Sequence, residues 1–401
     1  MKKLSFYERA EKLGHSAEGL KAGHKIASVI SIPNIEELRK LLDDGSSDED
    51  RAKREEALFG HIPLTSPETD TSDAGLLRRV HSYVYGNGVL ADSDREIIDQ
   101  AFPLDVFAES AANVTYDVPT NLGTSQLMIT LNYGTVTIND QACVSVYNST
   151  LNYTMDTLVR NGTPPAGMGD FNILGVTGGT GPAGATGATG GNGSTGKAGN
   201  CSSAGIAGDS GQNGTVGNTG GTGGVGVAGF DGLPSMPATI TINQSIQNTN
   251  SIIVFTASGG GGTGGVGGQG GTGGIGGNGG NGATCGCTGS GAGNGVNGGA
   301  GGNGGTGGQG GNGVNASGNV IVNVPATYLN DINGISGPAS PGVGGAGGTG
   351  GVGGAGGGGG SGGKHNGNGS GGSTGGNGTN GAKGVQGTQT GAPATIIPKP
   401  I

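Results

Sequence analysis

A glycine repeat with a period of three residues constrains the fold of this 401-residue chain more than any other feature. From Gly175 to Gly232 every third residue is glycine, with the single exception of Ser202. A flexible linker needs no such phase, whereas three residues per turn is the period of a polyproline-II helix. The repeat therefore predicts ordered, extended helices. The later tracts, most of them Gly-Gly-X, cover 261–281, 295–313, 344–362 and 375–387.

Breaks in the repeat divide it into six segments of similar length. Short separators alternate with long ones at 233–259 and 316–341. This alternation predicts three hairpins whose distal turns meet at one end, with the long, strand-containing separators as loops at the base. Because neighbouring chains approach closely only where no Cβ intervenes, we expect the third to fifth segments, which are Gly-Gly-X, at the centre and the first two on a flank. The segments are 175–200, 205–232, 260–284, 295–315, 342–363 and 375–391, and the short separators are 201–204, 285–294 and 364–374.

The residues before the repeat fall into two parts. Residues 1–100 hold 33 of the chain's 47 Asp, Glu, Lys and Arg residues and contain helix start signals such as Asn34 with Glu37, so they predict a small, charged, α-helical docking or export region. From Val114 the apolar period changes to two, which indicates half-buried strands and a β domain at 101–174. The predicted fold class is multidomain: this α-helical region, an all-β middle domain (sandwich or β-solenoid), and at 175–401 a bundle of about six polyproline-II/polyglycine-II helices.

Composition and charge argue against several classes of function. The net charge is −9 and basic clusters are absent, which argues against binding of nucleic-acid phosphates. No run approaches the roughly 18 apolar residues of a membrane span, and charged residues from Glu8 to Lys12 stand where a Sec signal peptide needs its apolar core. No catalytic constellation or cofactor motif is visible. The sequence predicts a non-enzymatic protein without cofactors, located outside the cell, on its surface or in a virion, and exported without a Sec signal.

The distal turns hold the candidate functional residues. Cys201 falls in the first turn and Cys285 and Cys287 in the second, and a disulfide from Cys201 to either of the others would tie neighbouring hairpins. A metal site would lack a fourth ligand unless His365 reached the thiols, so none is predicted. We expect the N-terminal region to mediate self-association or to contact a cell-surface or fibre partner. The candidates for contact with a host-surface receptor are Ser203, Thr288, Asn294, Lys364, His365 and Asn366.

The Gly-Gly-X tracts, for example Gly261-Gly262-Thr263, resemble those of polyglycine-II sandwich proteins, which include the tip adhesins of phage long tail fibres and the snow-flea antifreeze proteins. This resemblance, over 175–391, implies either receptor binding by the loops between glycine helices or ice binding by a flat face. Residues 175–234 also resemble the collagen-like repeats of bacteria and phages, which would imply a trimeric stalk. The favoured function is a fibre subunit or a rigid scaffold that presents binding loops.

Overall fold

The structure is a computed structural model that describes residues 4–43, 47–60, 72–124, 128–202, 208–249 and 251–401. Within these residues two β-sheets build a base, six α-helices pack on it, and six glycine-rich segments run out from it. The strands in chain order are β1 (Ile26–Ile32), β2 (Leu104–Tyr116), β3 (Thr120–Asn121), β4 (Met128–Ile138), β5 (Val144–Tyr147), β6 (Thr150–Arg160), β7 (Phe171–Leu174), β8 (Ala238–Gln247), β9 (Ile252–Ala257), β10 (Thr284–Cys285), β11 (Thr288–Gly289), β12 (Val320–Val324), β13 (Ile332–Gly337) and β14 (Ile396–Pro400).

Strands alternate between the two sheets along the chain. The large sheet has the order β1-β2-β4-β6-β8-β12-β14 and the small sheet the order β13-β9-β7-β5-β3, while β10 and β11 form a separate hairpin. Every strand pair in the two sheets is parallel except β1 with β2. Each passage of the chain, from β2 with β3 to β12 with β13, thus adds one strand to each sheet. Alternate side chains of these strands face the space between the sheets, which explains the period of two in the sequence.

The core between the sheets is apolar and continuous. Tyr153 and Leu158 of the large sheet and Phe171 of the small sheet are at most 1% exposed. The ring of Tyr153 packs edge-on against Tyr133 and Phe171, with centroids 5.4 and 5.6 Å away. Burial of a side chain of this size contributes about 1.5–3 kcal/mol, so side-chain packing holds the base together.

The six α-helices in the described part of the chain are short and form a layer on the large sheet. They are α1 (Phe6–Lys12), α2 (Ala17–Lys21), α3 (Ile35–Leu42), α4 (Asp48–Phe59), α5 (Asp73–Tyr85) and α6 (Asp92–Ile98). Side-chain caps start most of them; the Asn34 side chain, for example, accepts a hydrogen bond from the Glu37 amide at 2.9 Å. Ile35 and Phe59 from this layer share one apolar cluster with Ile321 of β12, so the helices are anchored on the sheet itself.

The six glycine-rich segments form two layers of three, which we call the glycine array. The first, third and fifth segments run parallel in one layer, and the second, fourth and sixth run in the opposite direction in the other. The chain leaves the base after β7, β9 and β13 and returns at β8, β12 and β14, so each layer continues the strand order of one sheet. The segments are 175–200, 208–232, 259–283, 290–315, 342–363 and 367–391.

Backbone hydrogen bonds inside the array explain the need for two adjacent glycines. In the third segment the amide of Gly270 donates to Thr349 in the same layer, and that of Gly271 donates to Gly221 across the layers, both at 2.8 Å. A Cβ on either glycine would lie 2.0 Å from a carbonyl oxygen of a neighbouring segment, that of Gly302 or Ala188. No side chain fits at these two positions, and only the third residue of each repeat can carry one.

Asparagine side chains on the outer faces satisfy a further set of amides. The Asn278 side chain accepts from the amide of Gly358 at 2.7 Å, and the Asn303 side chain accepts from the amide of Thr379 at 2.9 Å. In each case an asparagine of one segment caps the outward amide of the next segment in its layer. This arrangement gives a structural reason for the many Asn-Gly pairs in the repeat.

The predicted fold class is wrong in two respects. The β structure is not a separate all-β domain, because one mixed seven-stranded sheet takes β1 from the N-terminal region and β8, β12 and β14 from residues after 233. The described residues of the glycine segments include no assigned helix, so a non-helical array takes the place of the predicted polyproline-II/polyglycine-II bundle. The period of three reflects packing between segments. It marks the positions at which neighbouring segments touch and where a residue must therefore lack a Cβ.

Candidate functional site

The described residues of the three distal turns lie together at the end of the array that is farthest from the base. Cys201, after the first segment, forms a disulfide with Cys285, after the third, with 5.6 Å between their Cα atoms. The Lys364 amide, after the fifth segment, donates to the Thr284 hydroxyl at 3.1 Å. The Ser290 hydroxyl donates to the carbonyl of Asp209 at 2.6 Å, which links the second and fourth segments. We call this region the distal tip.

Most of the predicted site residues that the structure describes are exposed at the distal tip. Cys287 is a free, exposed thiol in the hairpin of β10 and β11, and Thr288 follows it. Lys364, His365 and Asn366 form the third turn, in which His365 has a positive φ of 62°. The structure therefore brings these five side chains to one end of the molecule.

Two predicted residues stand apart from this group. Asn294 lies inside the fourth segment, where its side chain accepts from the Ser370 amide at 2.8 Å and its own amide donates to the Asn213 side chain at 2.7 Å. It serves the hydrogen bonding of the array and is not part of a turn. Ser203 lies outside the described residues.

Charge at the distal tip is small and of mixed sign. Lys364 and His365 are exposed in the third turn, Lys197 lies near the end of the first segment, and Asp209 lies near the start of the second. Among the described residues no group of three His, Cys, Asp or Glu side chains is placed to hold a metal ion. The tip can therefore offer hydrogen-bonding groups, the thiol of Cys287, and the side chains of Lys364 and His365 to a ligand.

The two outer faces of the array differ in chemistry. The face of the first, third and fifth segments exposes uncharged side chains at regular intervals, including Val266, Ile275, Val343 and Val352, which are 50–61% exposed. Threonines lie in the same rows, and the hydroxyls of Thr189 and Thr272 on adjacent segments lie 3.4 Å apart. The opposite face also exposes valines, such as Val216 and Val225 at 57% and 66%, but it carries the charged side chain of Asp231 among its asparagines. Sequence reasoning missed this division, although the third residue of each repeat in the sequence carries the signal.

Among the described residues, no helix has both the length and the apolar character that a membrane span requires.

Comparisons with known proteins give little that bears on the site. No family model and no curated protein matches the chain. A solved structure titled as a nine polyproline type II helical bundle, the springtail antifreeze protein from Granisotoma rainieri, is 25% identical over 51% of this chain and 93% of its own. Its TM-score of 0.07 is too low to support an argument about fold or function.

Proposed function

We propose that the chain is a non-enzymatic structural or adhesive protein of a cell surface, an extracellular fibre or a virion, in which the glycine array carries the distal tip away from the base. The observation that carries this proposal is the convergence of three turns from distant parts of the chain. Cys201 and Cys285 are 84 residues apart in sequence, and Lys364 lies a further hairpin away, yet all three are linked at one end. Such a cross-linked group of exposed turns on a rigid support suits recognition of a surface ligand.

The lateral edges of the array favour presentation of the tip over growth into a fibre through the array. Pro182 in the first segment occupies the position that Gly265 has in the third, and its ring stands where another segment would have to approach. On the other side, the side chains of Asn380 and Asn377 accept from the edge amides of Gly350 and Gly353 at 2.9 and 3.0 Å. Both edges thus resist the addition of a seventh segment from a second molecule.

The sheet edge beside the array is protected in a related way. The Thr395 carbonyl accepts a hydrogen bond from the Val320 amide, and the Ile401 amide donates to the Val324 carbonyl. The backbone N–H and C=O groups of odd-numbered residues along β14 therefore point toward β12. Pro398 and Pro400 are even-numbered, so their backbone nitrogens point away from β12 toward the open edge of the sheet. Because proline has no N–H group, they offer no donor to another strand. Association with a fibre or surface would therefore use another part of the molecule, and we propose the helical N-terminal region for this role.

A binding assay with tip variants tests the proposal. Fluorescently labelled protein is incubated with intact cells of several candidate hosts and with beads coated with their surface polysaccharides. We expect the double variant Lys364→Ala with His365→Ala to bind at least about tenfold more weakly, a change of about 1.4 kcal/mol. Lys383→Ala, in the sixth segment and away from the tip, should bind as the parent protein does. Equal binding by both variants would show that the tip is not the recognition surface.

Electron microscopy of the same protein separates the two forms of the structural proposal. Discrete particles with a short projection would agree with a tip-presenting protein. Long filaments at micromolar concentration would instead favour the fibre-subunit alternative and would place the assembly contact outside the array edges.

Ice binding is a second candidate, favoured by the flat, uncharged face of the first, third and fifth segments. The regular spacing of exposed threonine and aliphatic side chains there could order water into a lattice. Thermal hysteresis of the parent protein tests this, with Thr272→Glu on the flat face expected to abolish the effect. Thr306→Glu, on the opposite face, is the matched control and should retain it. Absence of thermal hysteresis in the parent protein removes this candidate.

A further inference from the structure

An asparagine followed by glycine can modify itself without any enzyme. The glycine amide loses its proton, and its nitrogen attacks Cγ of the asparagine side chain. A new N–Cγ bond forms, the Cγ–Nδ2 bond breaks, and the nitrogen leaves as ammonia after taking up a proton. Water then opens the resulting succinimide at either carbonyl and leaves aspartate or isoaspartate. The reaction needs a mobile Asn-Gly unit whose glycine amide is free to approach Cγ.

The chain contains fifteen Asn-Gly pairs, and the array holds eleven of them in a form that opposes this reaction. In all eleven the glycine amide donates to a carbonyl of a neighbouring segment. Gly304, after Asn303, donates to Thr379 at 2.8 Å, and Gly279, after Asn278, donates to Gly358 at 2.9 Å. An amide that is held in this way cannot turn toward its own asparagine unless the array opens locally. The asparagines are 192, 213, 278, 281, 294, 297, 303, 312, 368, 377 and 380.

Three of the remaining pairs, in the base or beside the helices that pack on it, are also held. The Gly88 amide, after Asn87, donates to Ser82 at 3.1 Å. The side-chain amide of Asn161 donates to Asn139 and accepts from Asn248, both at 2.8 Å, which fixes its Cγ. Asn333 lies in β13, and its side chain donates to the Ser251 hydroxyl at 2.8 Å.

The remaining pair, Asn366-Gly367, is at the distal tip and lacks these restraints. Gly367 is exposed, its amide has no hydrogen-bond partner in the described structure, and no heavy atom lies within 4 Å of the position that a Cβ would take. The Asn366 side chain makes a single, long contact, to the carbonyl of Lys364 at 3.3 Å. We propose that Asn366 is a site of spontaneous deamidation, and that the folded array confines this reaction to the tip.

The reaction changes the chemistry of the distal tip. Conversion to aspartate places a carboxylate beside Lys364 and His365, and conversion to isoaspartate also lengthens the backbone by one methylene group. If the tip binds a ligand as proposed above, aged protein would bind differently from fresh protein. This consequence rests on the proposed function, whereas the reaction itself does not.

Peptide mapping by mass spectrometry tests the inference on the intact, oxidised chain. The protein is incubated in mildly alkaline buffer, and conversion is measured at each Asn-Gly pair over time. We expect Asn366 to convert at least about tenfold faster than any pair in the array, because those pairs must first open. In guanidinium chloride all fifteen pairs should convert at similar rates. Gly367→Ala should slow conversion at Asn366 several-fold and leave the fold intact, since a methyl group hinders the attack but meets no neighbour.

Two results would overturn the inference. Conversion of Asn366 no faster than that of the array pairs in folded protein would show that the tip is not singled out. Conversion of Asn303 in folded protein as fast as its conversion in guanidinium chloride would show that the array offers no protection. Neither measurement depends on a ligand, so a failed binding assay and a failed deamidation assay are separate findings.

Discussion

The β base and the glycine array share one stacking order but are held together by different forces. In the base, β7, β9 and β13 lie side by side and bury apolar side chains such as Phe171 and Val254. In the array, the first, third and fifth segments continue the same order, yet the contacts between them are made by backbone atoms of glycine. Along one chain path, cohesion thus passes from side chains to backbone while the order of neighbouring elements stays the same.

This difference makes the array the more cooperative of the two regions. A hydrogen bond contributes only about 0.5–1.5 kcal/mol net, while ordering one backbone residue costs about 1–2 kcal/mol. An isolated glycine segment would therefore not stay ordered, and each needs its neighbours on two or more sides. The base supplies the alignment, because the strands that precede and follow each hairpin already stand in register.

The largest expected effect comes from the buried ion pair of the base. Arg160 and Asp170 are each 1% exposed and are bonded to each other, and the second carboxylate oxygen of Asp170 accepts from the Ile253 amide at 2.8 Å. Asp170→Ala would leave the guanidinium buried without its counter-ion, which costs about 3–5 kcal/mol. The exposed Asp117→Ala is the control and should cost under about 1 kcal/mol. Urea denaturation followed by circular dichroism measures both.

Hydrogen exchange in the Asp170→Ala variant would also show how far the array depends on the base. If the base aligns the segments, array amides such as those of Gly270 and Gly271 should lose protection together with the strands. Retained protection in the array beside a loosened base would contradict this dependence.

Acid should destabilise the helical layer before it affects the array. Burial, with a smaller contribution from the charge of Arg78, lowers the pKa of His81 from 6.5 to about 4. The ring stacks on Phe59 with 3.8 Å between centroids. Because the unfolded chain takes up the proton more readily, the stability from neutral His81 is complete above pH 6.5 and is lost as the pH falls toward 4. The total loss is about 3 kcal/mol.

Urea titrations at about pH 7 and about pH 4.5 check this expectation. His81→Leu should reduce the pH dependence while keeping an apolar contact with Phe59. An unchanged pH dependence in that variant would show that another group controls acid unfolding.

Local sequence patterns could predict the elements of the base but not their assembly. The strand-like runs at Ile240 and Val320 are visible in the sequence, yet β8 and β12 join β6 and β14 in one sheet only through partners about 80 residues apart. β1, within the region predicted to be helical, was missed because its sequence alternates weakly between apolar and small residues. The prediction that the fifth segment is central is wrong, because this segment lies at the edge of its layer. Asparagine side chains of the sixth segment cover its open side.

The candidate site was more accessible to sequence reasoning than the fold. The alternation of short and long separators is enough to place Cys201, Cys285 and Lys364 at one end, whether or not the glycine segments are helices. The capping role of Asn294 could not be read from its separator position, because it depends on Asn213 and Ser370 in other segments.

A glycine substitution distinguishes steric cohesion in the array from apolar cohesion in the base. A Cβ on Gly302 would lie 1.9 Å from the carbonyl oxygen of Gly221 and 2.5 Å from its carbon. Gly302→Ala must shift one backbone against another, which typically costs about 1–3 kcal/mol and can cost more. Gly376→Ala, with no atom within 4 Å, should be neutral or gain up to about 1 kcal/mol by restricting the unfolded chain. Hydrogen exchange of array amides and urea titration measure both; a similar loss in the two variants would argue against close backbone packing.

The smallest expected effect concerns the asparagine caps of the array. The Asn303 side chain accepts from both the amide and the hydroxyl of Thr379, at 2.9 and 3.0 Å. Asn303→Ala exposes the Thr379 amide to water and does not bury it unpaired. The loss in the free energy of unfolding should therefore fall at the lower end of about 0.5–1.5 kcal/mol. Thr306→Ala, one turn further along the same segment, removes a side chain of similar exposure that caps no amide in the described structure, and should change stability less. Faster exchange of the Thr379 amide in the Asn303 variant alone would identify the cap as the cause, whereas equal effects of the two substitutions would assign the loss to the exposed surface.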